Sequence, residues 1–184
     1  SDFCKQKYLS FEPRLESSAE VINNFSEIEI KGKTVSERQV YEYDFIYIGR
    51  LSKEKGIAKL IDAVRDSNIK LAVAGNGPLR NVVEASALEN GNIEYLGVLD
   101  SSQVSRCLSK SRFMVLPSQW YENNPLSIIE AFSLGVPCVG ANIGGIPELI
   151  EVGKTGLIFD PFDTDNIKKT LNTAIMIGSE EYKN

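Results

Sequence analysis

From residue 44 onward the chain alternates between short apolar runs and stretches in which apolar residues recur every three or four positions. Residues 44–49, Asp-Phe-Ile-Tyr-Ile-Gly, form the first run, and Ile57, Leu60, Ile61 and Val64 mark one face of a helix after it. Residues 69–74, 93–96, 113–116, 136–140 and 156–159 repeat the apolar run, so the pattern predicts six strands. Helices are predicted between and after them over 78–88, 101–110, 125–134 and 164–177.

Strands this short and apolar need cover on both faces, and strand–helix–strand alternation supplies it through right-handed crossovers. The predicted fold is α/β, a doubly wound, Rossmann-like parallel sheet of about six strands. Ligands of such sheets bind beyond the carboxyl ends of the strands, near the point where the strand order reverses. Four loops occupy those ends, residues 50–56, 75–78, 117–124 and 141–147. Residues 1–40 stand outside this rhythm. They read as a short helix over 3–11, a strand over 18–24 ending in an Asn-Asn turn, and a charged linker over 27–42.

The stretch 117–149 carries the densest chemistry. Asn124 reads as an N-cap, Pro125 as the first helical residue and Gly135 with Pro137 as the stop of the helix over 125–134. Glu122 lies just before that helix. Glu130 lies inside it, between Ile128, Ile129, Ala131 and Phe132, where an unpaired carboxylate is costly to desolvate. Glu130 therefore needs a partner, either a structural cation or backbone group, or the hydroxyls of a ligand. On the two carboxylates alone the structural reading is the commoner one.

The first loop reads Gly49-Arg50-Leu51-Ser52-Lys53-Glu54-Lys55-Gly56. Gly49 suits a sharp turn after the strand, and Arg50 and Lys55 bracket the start of the next helix, whose first amides favour an anion. A phosphate fits there, and so does simple solvation of surface cations. The loop has neither the G-x-x-x-x-G-K-[ST] nor the G-x-G-x-x-G spacing, which argues against an ATPase and a nicotinamide enzyme. Residues 75–78 are explained as a tight turn in which Pro78 opens a helix.

Composition removes further classes. A length of 184 residues with 42% hydrophobic content suits one compact domain with a real core, and a net charge of −5 offers no global basic field for nucleic acid. No apolar stretch is long enough to span a membrane, and no signal peptide is recognisable. Cys4, Cys107 and Cys138 are odd in number and far apart, so neither a disulfide framework nor a zinc site follows, and a reducing cytoplasm fits. Histidine is absent, which removes Ser-His-Asp and Cys-His mechanisms from this segment. Carboxylates, cations and backbone amides remain.

Five motifs now stand in one order: Gly-Arg-Leu-x-x-Glu-Lys-Gly at 49–56, Gly-x-Gly-Pro at 75–78, Glu122 and Glu130 separated by seven residues, Glu-Ala-x-x-x-Gly-x-Pro at 130–137, and Gly-Gly-x-x-Glu at 144–148. Together they resemble the donor-binding half of the group 1, or family 4, retaining glycosyltransferases, over residues 44 to about 177. The resemblance implies the GT-B architecture, two facing Rossmann-like domains of which this chain holds the second. Residues 1–40 would be a remnant of the preceding domain and a linker, and residues 41–184 the sugar-nucleotide domain. It further implies donor binding by Gly49, Arg50, Lys55, Glu122, Leu126, Ser127 and Glu130, with Arg50, Lys55 and Glu122 as the catalytic group. Arg50 and Lys55 would grip the diphosphate together with the amides of Leu126 and Ser127. Glu130 would accept from the ribose and Glu122 would contact the sugar.

No metal and no cofactor beyond the donor is implied. The acceptor, a glycan or lipid, would sit on the preceding domain, in the cytoplasm and at the membrane surface where that domain associates with it. The chain departs from many relatives in having Asn124-Pro125 where they have Phe-Gly; Pro125 has no N–H to give a phosphate. Trp120 and Tyr121 fit either the cleft or packing, and base contacts are expected near residues 97–99. A sugar-nucleotide 2-epimerase and a non-catalytic nucleotide-binding module are the alternative readings.

Overall fold

The computed structural model describes residues 1–26 and 41–178. Six strands, β1 (Tyr43–Ile48), β2 (Leu71–Ala74), β3 (Ile93–Gly97), β4 (Ser111–Leu116), β5 (Cys138–Ala141) and β6 (Gly156–Phe159), form one sheet in the order β3-β2-β1-β4-β5-β6. Every pairing is parallel. The strand order reverses between β1 and β4, which places the ligand-binding crevice expected of this topology at their carboxyl ends.

Burial explains why these runs are strands. All four residues of β2 and of β5 are buried, the mark of strands covered on both faces. At the centre, Phe45 of β1 lies in register with Phe113 of β4; their rings stack with centroids 5.5 Å apart, and neither is exposed. Right-handed crossovers put α2 (Ile57–Val64) and α3 (Arg80–Glu89) on one face and α4 (Ser101–Ser109) and α5 (Leu126–Ser133) on the other. The closing helix α7 (Thr164–Ile177) returns to pack on α2.

Local signals set the helix ends. Asp100 and Gln103 form a reciprocal capping box at the start of α4, and Asp163 accepts the amides of Asp165 and Asn166 at the start of α7. The start of α5 differs from expectation. Pro125, with φ −68° and ψ 120°, is itself the cap residue, its carbonyl accepting the Ile128 amide. Asn124 is buried beside it and donates instead to Asn23 Oδ1 at 2.9 Å, so it does not cap the helix. Pro78 lies in the turn, and α3 begins two residues later.

Outside the sheet, a helix α1 (Asp2–Phe11) forms close to where one is predicted, followed by a single 3-10 turn at Pro13–Leu15. The strand predicted over 18–24 is not there. Residue 18 closes a turn and 19–24 run without regular structure: Asn23 and Asn24 bond to Asn124 rather than to an edge of the sheet, and Ile22 remains exposed. Most of the charged linker, residues 27–40, lies outside the described residues. A one-turn helix α6 (Ile146–Leu149), unanticipated in the sequence, follows β5.

Phe113→Ala should lower the unfolding free energy by about 3–5 kcal/mol. Leu88→Ala, at a side chain 90% exposed, should change it by less than about 0.5 kcal/mol. Urea unfolding followed by circular dichroism measures both.

Candidate functional site

The loops that leave β1, β4 and β5 are pressed together at the carboxyl edge. Gly56 ends the short turn Lys53–Lys55 with φ +71°, and a Cβ there would stand 1.9 Å from the Pro117 carbonyl oxygen. The backbone is therefore in a conformation, and at a distance, that favours glycine. Gly49, by contrast, has no positive φ. The backbone bends at Gly49 as expected, and what crowds it is the Tyr47 ring, whose hydroxyl would lie 3.1 Å from an added Cβ. The Gln119 amide donates to Glu54 O at 2.8 Å and completes the seam between the two loops.

This seam brings Lys55 to Glu122. Lys55 Nζ lies 2.5 Å from Glu122 Oε1, and the buried Ser118 hydroxyl donates to the same oxygen at 2.8 Å. Their side chains are 30% and 15% exposed, so the pair is only partly screened by water. Both contacts fall on Oε1, which leaves Oε2 without a partner among the described residues. The Gly145 amide donates to the Glu122 carbonyl at 2.7 Å. Cβ atoms on Gly144 and Gly145 would collide with the Glu122 and Asn123 backbone, which gives the Gly-Gly pair its physical reason.

Arg50 sits at the mouth, exposed, with no hydrogen bond or ion pair to its guanidinium among the described residues. Its carbonyl accepts the Tyr47 hydroxyl at 2.7 Å. Burial, and then the negative charges of Glu122 and Glu54, hold the Tyr47 phenol far above its ordinary range, so it stays a donor under the loop. Arg50 and Gly49 line a crevice of about 240 Å³ between the ends of β1, β2 and β3, together with Gly75, Asn76, Val98 and Leu99.

Helix α5 follows the loop that bears Glu122, and none of its residues lines that crevice. Its first amides, at Leu126 and Ser127, precede the first intrahelical hydrogen bond, and no side chain caps them. Glu130, one turn on, is partly buried. It has no hydrogen-bond or ion-pair partner among the described residues, and desolvation pushes its carboxyl above the ordinary range. The structural ion pair considered for it does not form among the described residues.

Of the predicted site residues, the fold joins Lys55 directly to Glu122, sets Gly49 and Arg50 in the crevice, and groups Leu126, Ser127 and Glu130 on α5. No hydrogen bond or ion pair links Arg50 to Glu130. Sequence reasoning missed Ser118 and Tyr47. A tyrosine within an otherwise aliphatic buried strand was a usable signal, since its hydroxyl must find an acceptor. Ser118 carried no such signal.

A sequence profile described as "Glycosyl transferases group 1" matches residues 30–184. The chain belongs to this family. Among curated relatives of this group 1 chain, the sulfoquinovosyl transferase SQD2 of Arabidopsis thaliana is 31% identical over 135 residues, covering 71% of the chain and 26% of that protein. The alpha-D-kanosaminyltransferase of Streptomyces kanamyceticus is 27% identical over 154 residues, covering 77% and 40%. The chain thus spans well under half the length of these relatives. The solved structure of Anabaena HepE in complex with UDP-glucose superimposes with a TM-score of 0.66 at 22% identity, covering 78% of the chain and 43% of that protein, and shows the same fold.

The raised carboxyl of Glu130 gives a sign for its effect on stability. A carboxyl whose folded pKa exceeds its unfolded value favours folding below the unfolded pKa, and that contribution is lost as pH rises through the folded pKa. Glu130→Gln should therefore raise the melting temperature at pH 7 and leave it nearly unchanged at pH 3, read by thermal scans at both.

Proposed function

We propose that this group 1 domain binds a nucleoside-diphosphate sugar across the carboxyl ends of β1 and β4 and the amino end of α5, and presents it for retaining transfer to a glycan or lipid acceptor held by a preceding domain. Residues 1–40 are then the end of that domain and the linker, and the reaction takes place in the cytoplasm. The observation that carries the reading is Glu130, a partly desolvated acid that has no partner among the described residues, one turn inside a helix whose first two amides are likewise unpaired among them. That combination suits a ligand offering hydroxyls and phosphate oxygens together.

The nucleoside fits the crevice beside Val98 and Leu99, the ribose hydroxyls donate to Glu130, and the diphosphate lies between Arg50 and the amides of Leu126 and Ser127. Lys55 has its charge already paired with Glu122, so Arg50, whose guanidinium makes no hydrogen bond or ion pair among the described residues, supplies the positive charge for the diphosphate. Glu122 keeps Oε1 for Lys55 and Ser118, and Oε2 accepts from a sugar hydroxyl.

As the bond between the anomeric carbon and the phosphate oxygen breaks, the electron pair goes to that oxygen. Fixed cations and amides stabilise it most in a site from which water is excluded. The acceptor hydroxyl forms the new bond on the same face and gives its proton to the departing phosphate. Cations and helix amides cover the charge that develops, so no metal is needed for this step. All three described cysteines are free, which suits a reducing compartment, and no described helix is long and apolar enough to cross a membrane.

Calorimetric titration with uridine, guanosine and adenosine diphosphates should show binding of at least one. Arg50→Ala and Glu130→Ala should each weaken it about 10- to 100-fold, the effect of losing one charge-assisted hydrogen bond. Null heats for all three would reject the reading. Conversion of the donor without an acceptor in the full-length protein would instead identify an epimerase.

A further inference from the structure

Glu148, the last residue of the Gly-Gly-x-x-Glu motif, does not face a cation. Its two carboxylate oxygens accept the first amides of α1, from Asp2 at 2.8 Å and from Phe3 at 2.6 Å. Residues 121, 123 and 124, which surround Glu122, are each held by the same N-terminal segment. The Phe3 and Tyr121 rings lie 5.0 Å apart, with Lys7 Nζ 5.2 Å from the Tyr121 ring centre. The Ser1 hydroxyl donates to Asn123 Oδ1 at 2.9 Å. Asn24 Nδ2 donates to the Asn124 carbonyl at 2.7 Å, and Asn124 Nδ2 donates to Asn23 Oδ1.

We propose that Glu148 is a positioning residue: by anchoring α1 to the loop after β5, it clamps the N-terminal segment over residues 121–124 and thereby fixes Glu122. The proposal rests on the donor-site reading. It assigns Glu148 no contact with the donor; its effect reaches the reaction through the sugar-facing acid.

The physical route is short. A carboxylate that accepts the first amides of a helix stabilises them by hydrogen bonding and by its charge against the helix dipole. Gly144 and Gly145, just before α6, lie directly on the Glu122 and Asn123 backbone. Glu148 therefore holds α1 from the same loop that already touches Glu122. The N-terminal segment and the loop after β5 close on residues 121–124 from two sides. Without the carboxylate, the segment keeps, among the described residues, the aromatic, Lys7, Ser1 and asparagine contacts, and the loop bearing Glu122 gains freedom.

Trp120 is the chain's single tryptophan and adjoins this loop, its ring 6.3 Å from Tyr121, so its fluorescence reports the clamp. The comparison uses the unaltered chain, Glu148→Ala and Glu148→Gln, at a temperature where circular dichroism shows all three folded. Glu148→Ala should shift Trp120 emission to longer wavelength and lower its anisotropy. Glu148→Gln, which keeps one acceptor oxygen, should lie between.

In the full-length enzyme, Glu148→Ala should lower kcat about fivefold or more, which corresponds to about 1 kcal/mol of lost positioning at Glu122. The Kd for uridine diphosphate should stay unchanged. Faster exchange of the α1 amides with unchanged Trp120 emission and kcat would reduce Glu148 to a helix cap and overturn the proposal. A parallel rise in Kd would place Glu148 against the donor and overturn it as well. If the unaltered protein binds no nucleoside diphosphate, the donor reading fails by itself, and the Trp120 comparison still decides whether Glu148 holds the loop.

Discussion

Backbone lying directly on backbone sets the geometry of the carboxyl edge. Gly56 meets the Pro117 carbonyl, and Gly144 and Gly145 rest on residues 122 and 123, distances that admit no side chain. These contacts hold three loops from three different strands as one surface, so that Lys55, Ser118 and Glu122 meet although 67 residues separate the first from the last. Side chains alone would leave such loops free to part; hydrogen bonds from Gln119 to Glu54 and from Gly145 to Glu122 close them. The site is thus a property of the seams between loops as much as of the residues that point from them.

The fold treats its two acids in opposite ways. Glu122 is given a cation and a hydroxyl on one oxygen, which fixes its direction and leaves the other oxygen for use. Glu130 is given nothing among the described residues and is partly desolvated, a cost that a structural role would not repay. Arg50 stands exposed at the crevice while Lys55 is compensated. In a chain with a net charge of −5, no global basic field favours a polyelectrolyte.

Periodicity made the sheet legible. Buried parallel strands must be apolar along their length, and all six appear as runs in the sequence within a few residues of their observed ends. The motifs placed the loops correctly for the same reason, since they follow strands. What stayed hidden depended on contacts between segments far apart. Asn124 has the local chemistry of a cap, yet Asn23, 101 residues away, takes its amide. Val21 and Ile22 have strand-like character, yet their segment is tied through Asn23 and Asn24 to Asn124 and joins neither open edge of the sheet. Lys55 and Glu122 looked like two separate ligand contacts, because nothing in the local sequence announces the close approach of Gly56 to Pro117. Tyr47 and Ser118 act through partners that only the folded loops supply.

The place of β1 in the middle of the sheet has a consequence for how the molecule acquires its shape. β1 is made early but borders both β2 and β4, and its flank closes with Asp44 paired to Arg112 at 3.2 Å, 68 positions along the chain. Contacts of such high sequence separation are slow to form, because a long loop must be closed before they reward it. During synthesis the half-sheet of β1, β2 and β3 stands with one flank open until β4 emerges, and only then can the segment bearing Glu122 find its neighbours. The edge that carries Glu122 is therefore among the last parts of the domain to mature, and a ribosome pausing before residue 111 would leave an apolar flank waiting for its partner.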